Sequence, residues 1–419
     1  MHLSEVSILL HSLPTYYQLL LYILVGFWSF GISVHILEAS GVHVAQLFGQ
    51  RSTLWSSSPT SPLLMQHINA VHTSIYTASI ALTIVLFTSI SLFFYFNSKI
   101  VPCITYLLLL VVTFAPSTLF LSYRKPLLLS LKRSFSLSLD GKVTFLDVIV
   151  CDIFTSYARV FSDLVFILCD LLGKNSCYSS FLGPAITMFP FLVRFRQCLA
   201  EYRRDRQLRH LANAAKYITA LPVIISGGMV GYLHSSFPNS PKINAAFGFW
   251  VFSSFINSGV SLYWDIVMDW SLGAISNRYT QVKDHPSYHR KQYIYPLLRS
   301  VLLYGPAVYY IAILLDTFLR FTWILKISAS LSLIDFVILR DIDADGKKEQ
   351  IVLLDAILKI LEILRRFGWC VFRVEREWVC SGFVDEQNLR DRDDGRSGDI
   401  GEGAEQTEFR AVIPQREED

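Results

Sequence analysis

Polar and acidic side chains lie inside a long apolar stretch of this sequence, at intervals that match the turns of a helix. Between residues 247 and 272, Asn257, Ser261, Asp265 and Asp269 follow one another at steps of four. Because an α-helix turns by about 100° per residue, these side chains lie on one side of it. Carboxylates are costly in an apolar environment, so this side is predicted to meet cations, water or a substrate.

The stretch 145–172 repeats this pattern. Asp152, Arg159, Asp163 and Asp170 are separated by seven, four and seven residues. Those steps return to nearly the same azimuth of a helix. We therefore predict one continuous helix with a polar stripe that faces the interior of a helix bundle.

Oppositely charged residues four apart predict ion pairs within helices. The pairs are Asp316 with Arg320, Asp355 with Lys359, and Glu362 with Arg366. In one interpretation they only tie helices together. Polar faces on four helices favour a second interpretation, an aqueous or substrate-filled pathway. The guanidinium fork of arginine suits a tetrahedral oxyanion, but composition alone leaves both polar anions and cations open.

The elements that position these residues are predicted to be transmembrane helices. Of the 419 residues, 52% are hydrophobic and only 17% are charged, against about 25% charged in soluble domains. The mean hydropathy is +0.41. The net charge of +3 is too small to argue for nucleic acid as a partner. The sequence therefore predicts an all-α polytopic membrane protein.

Hydropathy places nine spans of suitable length. They cover residues 16–38, 70–96, 100–121, 145–172, 181–199, 212–233, 247–272, 293–324 and 351–372. Residues 119–139 are either a tenth span or a basic loop. The first run has no preceding Lys or Arg and is too long for a signal peptide, so we expect it to remain as a span. Residues 381–419 are highly charged and are predicted to be disordered.

The sequence gives little support for a metal site or for an enzymatic activity. The seven cysteines form no C-x-x-C pair and no zinc spacing, and we expect most of them to act as small apolar residues. His285 and His289 lie beside Asp284, but Pro286 between them favours a loop. We find no H-E-x-x-H or G-x-S-x-G motif. We predict no metal site, no cofactor and no enzymatic activity.

Five long motifs follow one another between residues 194 and 369. They are RFRQCL from Arg194, LANAAKY from Leu211, WDIVMDW from Trp264, DTFLRFTW from Asp316 and EILRRFGW from Glu362. In this order they resemble the EXS-domain family, which comprises eukaryotic phosphate exporters and their Golgi relatives. The resemblance covers residues 147–377. It implies ten membrane helices with both termini cytosolic, arranged as an N-terminal membrane region (1–143), an EXS-type domain (144–380) and a cytosolic tail (381–419).

The resemblance also implies a phosphate pathway through the EXS helices. The residues implied to line or support the phosphate site are Asp152, Arg194, Lys216, Tyr217, Asp265, Asp269, Arg320 and Trp323. Glu362, Arg365 and Arg366 are implied to control one end of the path, and we expect Asp163 and Asp316 to support the arrangement. The Lys/Arg bias agrees with a cytosolic loop at residues 203–209.

The exporters of this family carry an N-terminal SPX domain, whereas the first span here begins near residue 16. We therefore expect no regulation by an SPX domain in cis. The short form resembles the Golgi member associated with retention of luminal endoplasmic-reticulum proteins. This implies phosphate transport from the Golgi lumen to the cytosol in support of glycosylation, with the endoplasmic reticulum or the plasma membrane as alternative locations.

The other interpretation is a non-transporting Golgi membrane protein that organises glycosyltransferase recycling. The expected partners are inorganic phosphate and membrane lipids, and no nucleic acid. A homodimer and recognition of the tail by Golgi sorting or coat proteins stay open. So do the transport direction, the coupling ion and the choice between channel and carrier.

Overall fold

The computed structural model describes residues 15–48, 62–114, 121–136, 138–171, 181–273, 295–299, 301–329 and 347–380. These residues form helices and no strands. In the N-terminal part the helices are α1 (Thr15–Ala39), α2 (Val44–Leu47), α3 (Pro62–Phe96), α4 (Ile100–Phe114) and α5 (Leu121–Phe135). Contacts divide the chain into two units, Met1–Glu377 and Trp378–Asp419.

The chain from Phe145 onward supplies the other helices. They are α6 (Phe145–Ser156), α7 (Ala158–Leu171), α8 (Leu182–Asp205), α9 (Leu208–Ile218), α10 (Ala220–Ser236), α11 (Lys242–Tyr263), a π-helical segment (Trp264–Asp269), α12 (Pro306–Arg320), α13 (Trp323–Ala329) and α14 (Lys347–Cys380).

Several of these helices are long and apolar enough to cross a membrane. Among the described residues they are Tyr16–Ala39, Val71–Phe96, Leu208–Ser236, Lys242–Asp269 and Pro306–Leu325, and Ile100–Thr113 is a shorter apolar helix. The prediction of an all-α polytopic membrane protein is thus confirmed. The ambiguous stretch 119–139 contains a helix, α5, which includes Pro126.

The prediction of one continuous helix over 145–172 is wrong. Tyr157, with φ −90° and ψ 2°, ends α6, and α7 begins at Ala158. The polar stripe is therefore divided between two helices. Asp152 on α6 is buried, whereas Arg159 on α7 is exposed. The predicted span over 293–324 is also shorter than expected, since the helix begins only at Pro306, where proline occupies the first turn.

A π-helical turn interrupts the span that contains the acidic series. This segment is Trp264–Asp269. The N–H of Trp270, the next residue, donates to the carbonyl of Asp265, five positions earlier, at 3.0 Å. In an α-helix, residues four apart drift by about 40° per step. A π turn holds more residues than an α turn. Asp265 and Asp269, four residues apart within it, therefore do not show the drift that they would have in an α-helix.

Three helices are joined by polar contacts near one end of the bundle. Arg133 on α5 donates to both carboxylate oxygens of Asp147, at 2.9 and 2.7 Å. Asp147 also completes a capping box with Thr144 at the start of α6. Arg196 on α8 donates to the carbonyls of Ser134 and Ser138, at 3.0 and 2.7 Å. These bonds set the positions of α5, α6 and α8 relative to one another.

The apolar core of the N-terminal part is built around α1. Tyr17, Leu20, Ile363 and Phe367 are among its buried members, and α1 packs against α3 and α7. Gly26 lets the Tyr157 side chain approach α1, where the Tyr157 hydroxyl donates to the carbonyl of Tyr22 at 3.0 Å. The break between α6 and α7 is therefore anchored to α1.

Gly26→Ala is expected to destabilise the protein. A Cβ at position 26 would lie 1.9 Å from the hydroxyl oxygen of Tyr157 and 3.1 Å from its Cζ, so the anchoring hydrogen bond would be lost. We expect a loss of about 1–3 kcal/mol, measured as a lower midpoint of thermal unfolding in detergent. An unchanged midpoint would contradict this packing.

Two further variants serve as controls. Gly259→Ala places its Cβ where no atom lies within 4 Å, so it should be neutral or slightly stabilising. Tyr157→Phe in the Gly26→Ala background removes the clashing oxygen and should recover part of the loss.

Candidate functional site

The first part of the site joins α6, α8 and α9. Arg194 is buried at 1% exposure, and its Nε lies 2.8 Å from Asp152 Oδ1. The hydroxyl of Tyr217 donates to the same carboxylate oxygen at 2.6 Å and accepts from Arg194 Nε at 3.0 Å. The structure thus brings together Asp152, Arg194 and Tyr217, all three of which the sequence had singled out.

Gln197 holds this arginine in place and was not among the residues singled out from the sequence. Its Oε1 accepts from Arg194 Nη1 at 2.6 Å. Its Nε2 donates to Ser134 Oγ at 3.2 Å and to Cys151 Sγ at 3.0 Å. Gln197 lies within the RFRQCL motif, one helical turn after Arg194, and that spacing was a signal that could have identified it.

The second part of the site is centred on Asp265, which is fully buried. Arg320 on α12 forms an ion pair with its Oδ2, and Arg365 Nη1 on α14 lies 3.3 Å from the same atom. Arg365 Nη1 also donates to Asp316 Oδ1 at 2.9 Å. The predicted pair of Asp316 with Arg320 is therefore wrong. Each side chain turns to a charge on a neighbouring helix instead of along its own helix.

Glu362 on α14 is the last member of this cluster. Its two oxygens accept from Nε and Nη2 of Arg365, at 2.8 and 2.7 Å. The side chain of Glu362 is 36% exposed and that of Arg365 is 1% exposed, so the cluster opens at Glu362. The predicted pair of Glu362 with Arg366 is wrong, because the bidentate contact with Arg365 occupies this carboxylate.

Arg366 contacts hydroxyl groups of α6 instead. Its Nε donates to Ser156 Oγ at 2.9 Å and its Nη2 to Thr155 Oγ1 at 3.4 Å. Ser156 Oγ in turn donates to Glu362 at 3.1 Å. The guanidinium stacks on the Trp369 ring at 4.7 Å. Because Asp152 also lies on α6, this helix connects the two parts of the site.

Lys216 lies between aromatic rings. Its Nζ is 4.6 Å from the centre of the Tyr217 ring and 5.4 Å from that of Trp264. Within the described ranges it has no carboxylate within 4.0 Å. Asp269, the nearby acidic residue, is 3.7 Å from Arg373 Nε. A buried ammonium group with only ring contacts keeps its donors available to an anion.

Trp323 packs against α11 through a hydrogen bond and a ring contact. Its indole N–H donates to Ser258 Oγ at 3.0 Å, and Ser258 donates to the backbone carbonyl of Arg320 at 3.1 Å. The Trp323 ring meets Trp250 edge to face, with 5.9 Å between ring centres.

Asp163 lies apart from both parts. It pairs with Lys359 on α14, which also contacts Asp355 at 2.7 Å. The predicted pair of Asp355 with Lys359 is thus confirmed. The side chain of Asp170 and the residues Asp284, His285 and His289 lie outside what the structure describes. Among the cysteines, Cys169 is disulfide-bonded, which the sequence analysis did not foresee.

Another buried ion pair was not predicted from the sequence. Glu375 on α14 is fully buried and pairs with Arg299, which precedes α12. Glu375 also accepts from the Tyr309 hydroxyl at 2.6 Å and from the Leu303 N–H at 3.2 Å. The partners lie 76 positions apart in the chain, and no local spacing connects them.

Basic and acidic side chains converge at the site. The basic ones are Arg194, Lys216, Arg320, Arg365, Arg366 and Arg373, and the acidic ones are Asp152, Asp265, Asp269, Asp316 and Glu362. They come from α6, α8, α9, α12, α14 and the π-helical segment. In the described part of the chain, no cluster of three or more His, Cys, Asp or Glu residues suits a metal ion.

Comparison with known proteins identifies the family. The model of the EXS family matches residues 13–379. The chain belongs to the EXS family. All site residues named above lie within the matched range, so the EXS helices carry the whole arrangement. This confirms the resemblance carried by the five sequence motifs.

Curated EXS relatives are similar over parts of their length. The Xenotropic and polytropic retrovirus receptor 1 homolog of Xenopus laevis is 30% identical over 294 residues, which is 66% of this chain and 38% of the relative. Solute carrier family 53 member 1 of Mus pahari is 28% identical over 256 residues, 56% of this chain and 33% of the relative. Protein ERD1 homolog 2 of Schizosaccharomyces pombe is 26% identical over 248 residues, 56% of each chain. The chain thus spans a third to just over half of these relatives.

Proposed function

We propose that this EXS protein transports inorganic phosphate across a membrane. One observation carries the proposal. Three basic side chains from three different helices have N–H donors that no carboxylate among the described residues accepts from. They are Lys216, Arg366 and, through its Nε, Arg320. A strongly hydrated oxyanion leaves water only when several such donors replace its hydration at once.

The site residues divide into two roles under this proposal. Arg194, Lys216, Tyr217, Arg320 and Trp323 offer donors or ring edges to the anion. The carboxylates of Asp152 and Asp265 hold Arg194 and Arg320 in a low-dielectric environment, where an unpaired charge would be expensive, and Asp269 holds Arg373. Glu362, Arg365 and Arg366 form one end of the path, with Asp316 and, further away, Asp163 as charge partners.

Uptake of radiolabelled phosphate into proteoliposomes tests the proposal. The purified protein should give uptake well above that of protein-free liposomes. Arg365→Gln should abolish most of the uptake, whereas Arg203→Gln, at a side chain that is 59% exposed, should have no effect. Uptake by the wild type no greater than the protein-free background would contradict transport.

The proposed direction is from the Golgi lumen to the cytosol, in support of glycosylation and protein retention. It is supported by the similarity to ERD1 homolog 2 and by the Golgi members that the sequence motifs resemble. Topology agrees, because Cys169 near the end of α7 is disulfide-bonded, and disulfides persist in oxidising compartments. The Arg203–Arg206 turn at the other end of α8 then lies on the cytosolic side.

Location is tested with a tagged protein at native expression level. We expect it to coincide with Golgi markers, and an epitope at the C-terminus should be digested by protease added to sealed Golgi vesicles. A protein found mainly at the cell surface, or a protected epitope, would contradict this placement.

A non-transporting role in organising glycosyltransferase recycling is the second candidate. The closed pairs at the site, such as Asp152 with Arg194 and Glu362 with Arg365, favour it because such pairs also tie helices together. The uptake assay separates the two functions, since a purely structural network gives no flux.

A further inference from the structure

Three buried polar atoms at the Asp265 cluster have no hydrogen-bond partner among the residues that the structure describes. They are Asp265 Oδ1, Asp316 Oδ2 and Arg320 Nε. Asp265 is 0% exposed and Asp316 is 3% exposed. Buried polar atoms in folded proteins are rarely left unpaired. Two free acceptors and one free donor therefore indicate that something else completes the cluster.

The two free acceptors belong to neighbouring side chains. Arg365 Nη1 contacts both carboxylates, Asp265 at 3.3 Å and Asp316 at 2.9 Å. Arg320 contacts Asp265 through Nη2, which leaves its Nε as the free donor. A single small ligand held here must accept a hydrogen bond from Arg320 and donate to carboxylate oxygens.

Tetrahedral anions differ in whether they carry the hydroxyl protons that these carboxylates could accept. Sulfate carries no proton near neutral pH, so it has only acceptors and would place its oxygens against two carboxylates. Dihydrogen phosphate has two hydroxyl donors and two acceptor oxygens. Its single charge also places less negative charge beside the two carboxylates than a dianion would.

We infer that Asp265 and Asp316 select the dihydrogen form of phosphate, and reject sulfate, by accepting hydrogen bonds from the phosphate hydroxyl groups. The inference rests on the proposed transport of phosphate and adds its chemical form and its specificity residues. Sites that hydrogen-bond a substrate hydroxyl reject the analogue without it by large factors, because the buried partner is left unpaired.

The experiment compares anions in proteoliposomes at one pH near neutrality. Uptake of radiolabelled phosphate and of radiolabelled sulfate is measured, together with inhibition of phosphate uptake by unlabelled monofluorophosphate, a tetrahedral dianion without a hydroxyl group at this pH. For the wild type we expect sulfate uptake to be at least about 100-fold below phosphate uptake. We expect no inhibition by monofluorophosphate.

Asp316→Asn changes the selecting group directly. Its amide can turn an N–H donor toward the anion where the carboxylate only accepted, so the ratio of sulfate to phosphate uptake should rise by about tenfold or more. Asp355→Asn is the matched control, since Asp355 lies on α14 and contacts Lys359 instead of this cluster. Its ratio should equal that of the wild type, whatever its absolute flux.

Results that overturn the selection of dihydrogen phosphate differ from results that overturn phosphate transport. Wild-type phosphate uptake with equal sulfate uptake, or with strong inhibition by monofluorophosphate, overturns the selection while leaving phosphate transport intact. Such a result would mean that water alone satisfies the three free atoms. A folded Asp316→Asn variant with an unchanged ratio overturns it as well. If that variant does not fold, the two wild-type comparisons decide, and absence of any phosphate uptake overturns the proposed function itself.

Discussion

Arg320→Lys is expected to fold normally and to lose about nine-tenths or more of the phosphate flux. The ammonium group can keep the ion pair with Asp265, which involves one nitrogen of Arg320. It cannot replace the second donor, Nε, which is unpartnered among the described side chains. A lost charge-assisted hydrogen bond of about 1.5–3 kcal/mol corresponds to roughly tenfold or more.

The measurement is initial phosphate uptake into proteoliposomes, with the amount of reconstituted protein and its thermal midpoint determined for each variant. Arg203→Lys is the matched control, because Arg203 is exposed and its ion pair with Asp140, at 3.4 Å, lies outside the site. That variant should transport like the wild type. If Arg320→Lys also kept near-wild-type flux, Arg320 would be a purely structural residue that ties α12 to the π-helical segment.

Glu375→Gln is expected to cause a large loss of stability. The amide keeps the shape of the side chain and can still accept from Tyr309, but it leaves Arg299 without a compensating charge. Arg299 is only 4% exposed, and breaking a buried pair by removing one partner costs about 3–5 kcal/mol. Thermal unfolding in detergent should show a marked fall in the midpoint.

Two comparisons separate this effect from a general sensitivity to lost charge. Asp140→Asn removes one partner of an exposed pair and should cost less than about 1 kcal/mol. Replacing both Glu375 and Arg299 by leucine should recover much of the loss, because no uncompensated charge remains buried. A Glu375→Gln midpoint equal to that of Asp140→Asn would contradict the role assigned to this pair.

Local patterns in the sequence predicted the helices and most of the side chains at the site. Apolar runs of about 20 residues correctly indicated helices, five of which are long and apolar enough to cross a membrane among the described residues. Buried charges such as Asp152 and Asp265 marked faces that meet. The pairs themselves were less predictable. Spacing of four correctly paired Asp355 with Lys359, but it failed for Asp316 and Glu362, because charges on other helices or one position closer competed for the same oxygens.

Other features depend on contacts between distant parts of the chain. The break at Tyr157 lies where its hydroxyl contacts α1 beside Gly26, and no feature of residues 145–172 reveals that contact. Arg299 and Glu375 find each other only when α14 packs beside the segment before α12. Gln197 was within reach of a sequence argument, because it lies one turn after Arg194 in a motif already singled out.

The π-helical segment is the place where this part of the chain can change length with the least disturbance. The wide turn accommodates extra backbone locally, so deletion of one of its central residues, 266 to 268, would allow a regular α-helix to form while the parts on either side keep nearly the same relative orientation. The same deletion in α11, between Ser258 and Trp264, would rotate the residues before it by about 100° relative to those after it. Ser258 could then not meet Trp323 while Asp265 meets Arg320. Single-residue deletions are therefore expected to be tolerated better within the π-helical segment than in the helix before it.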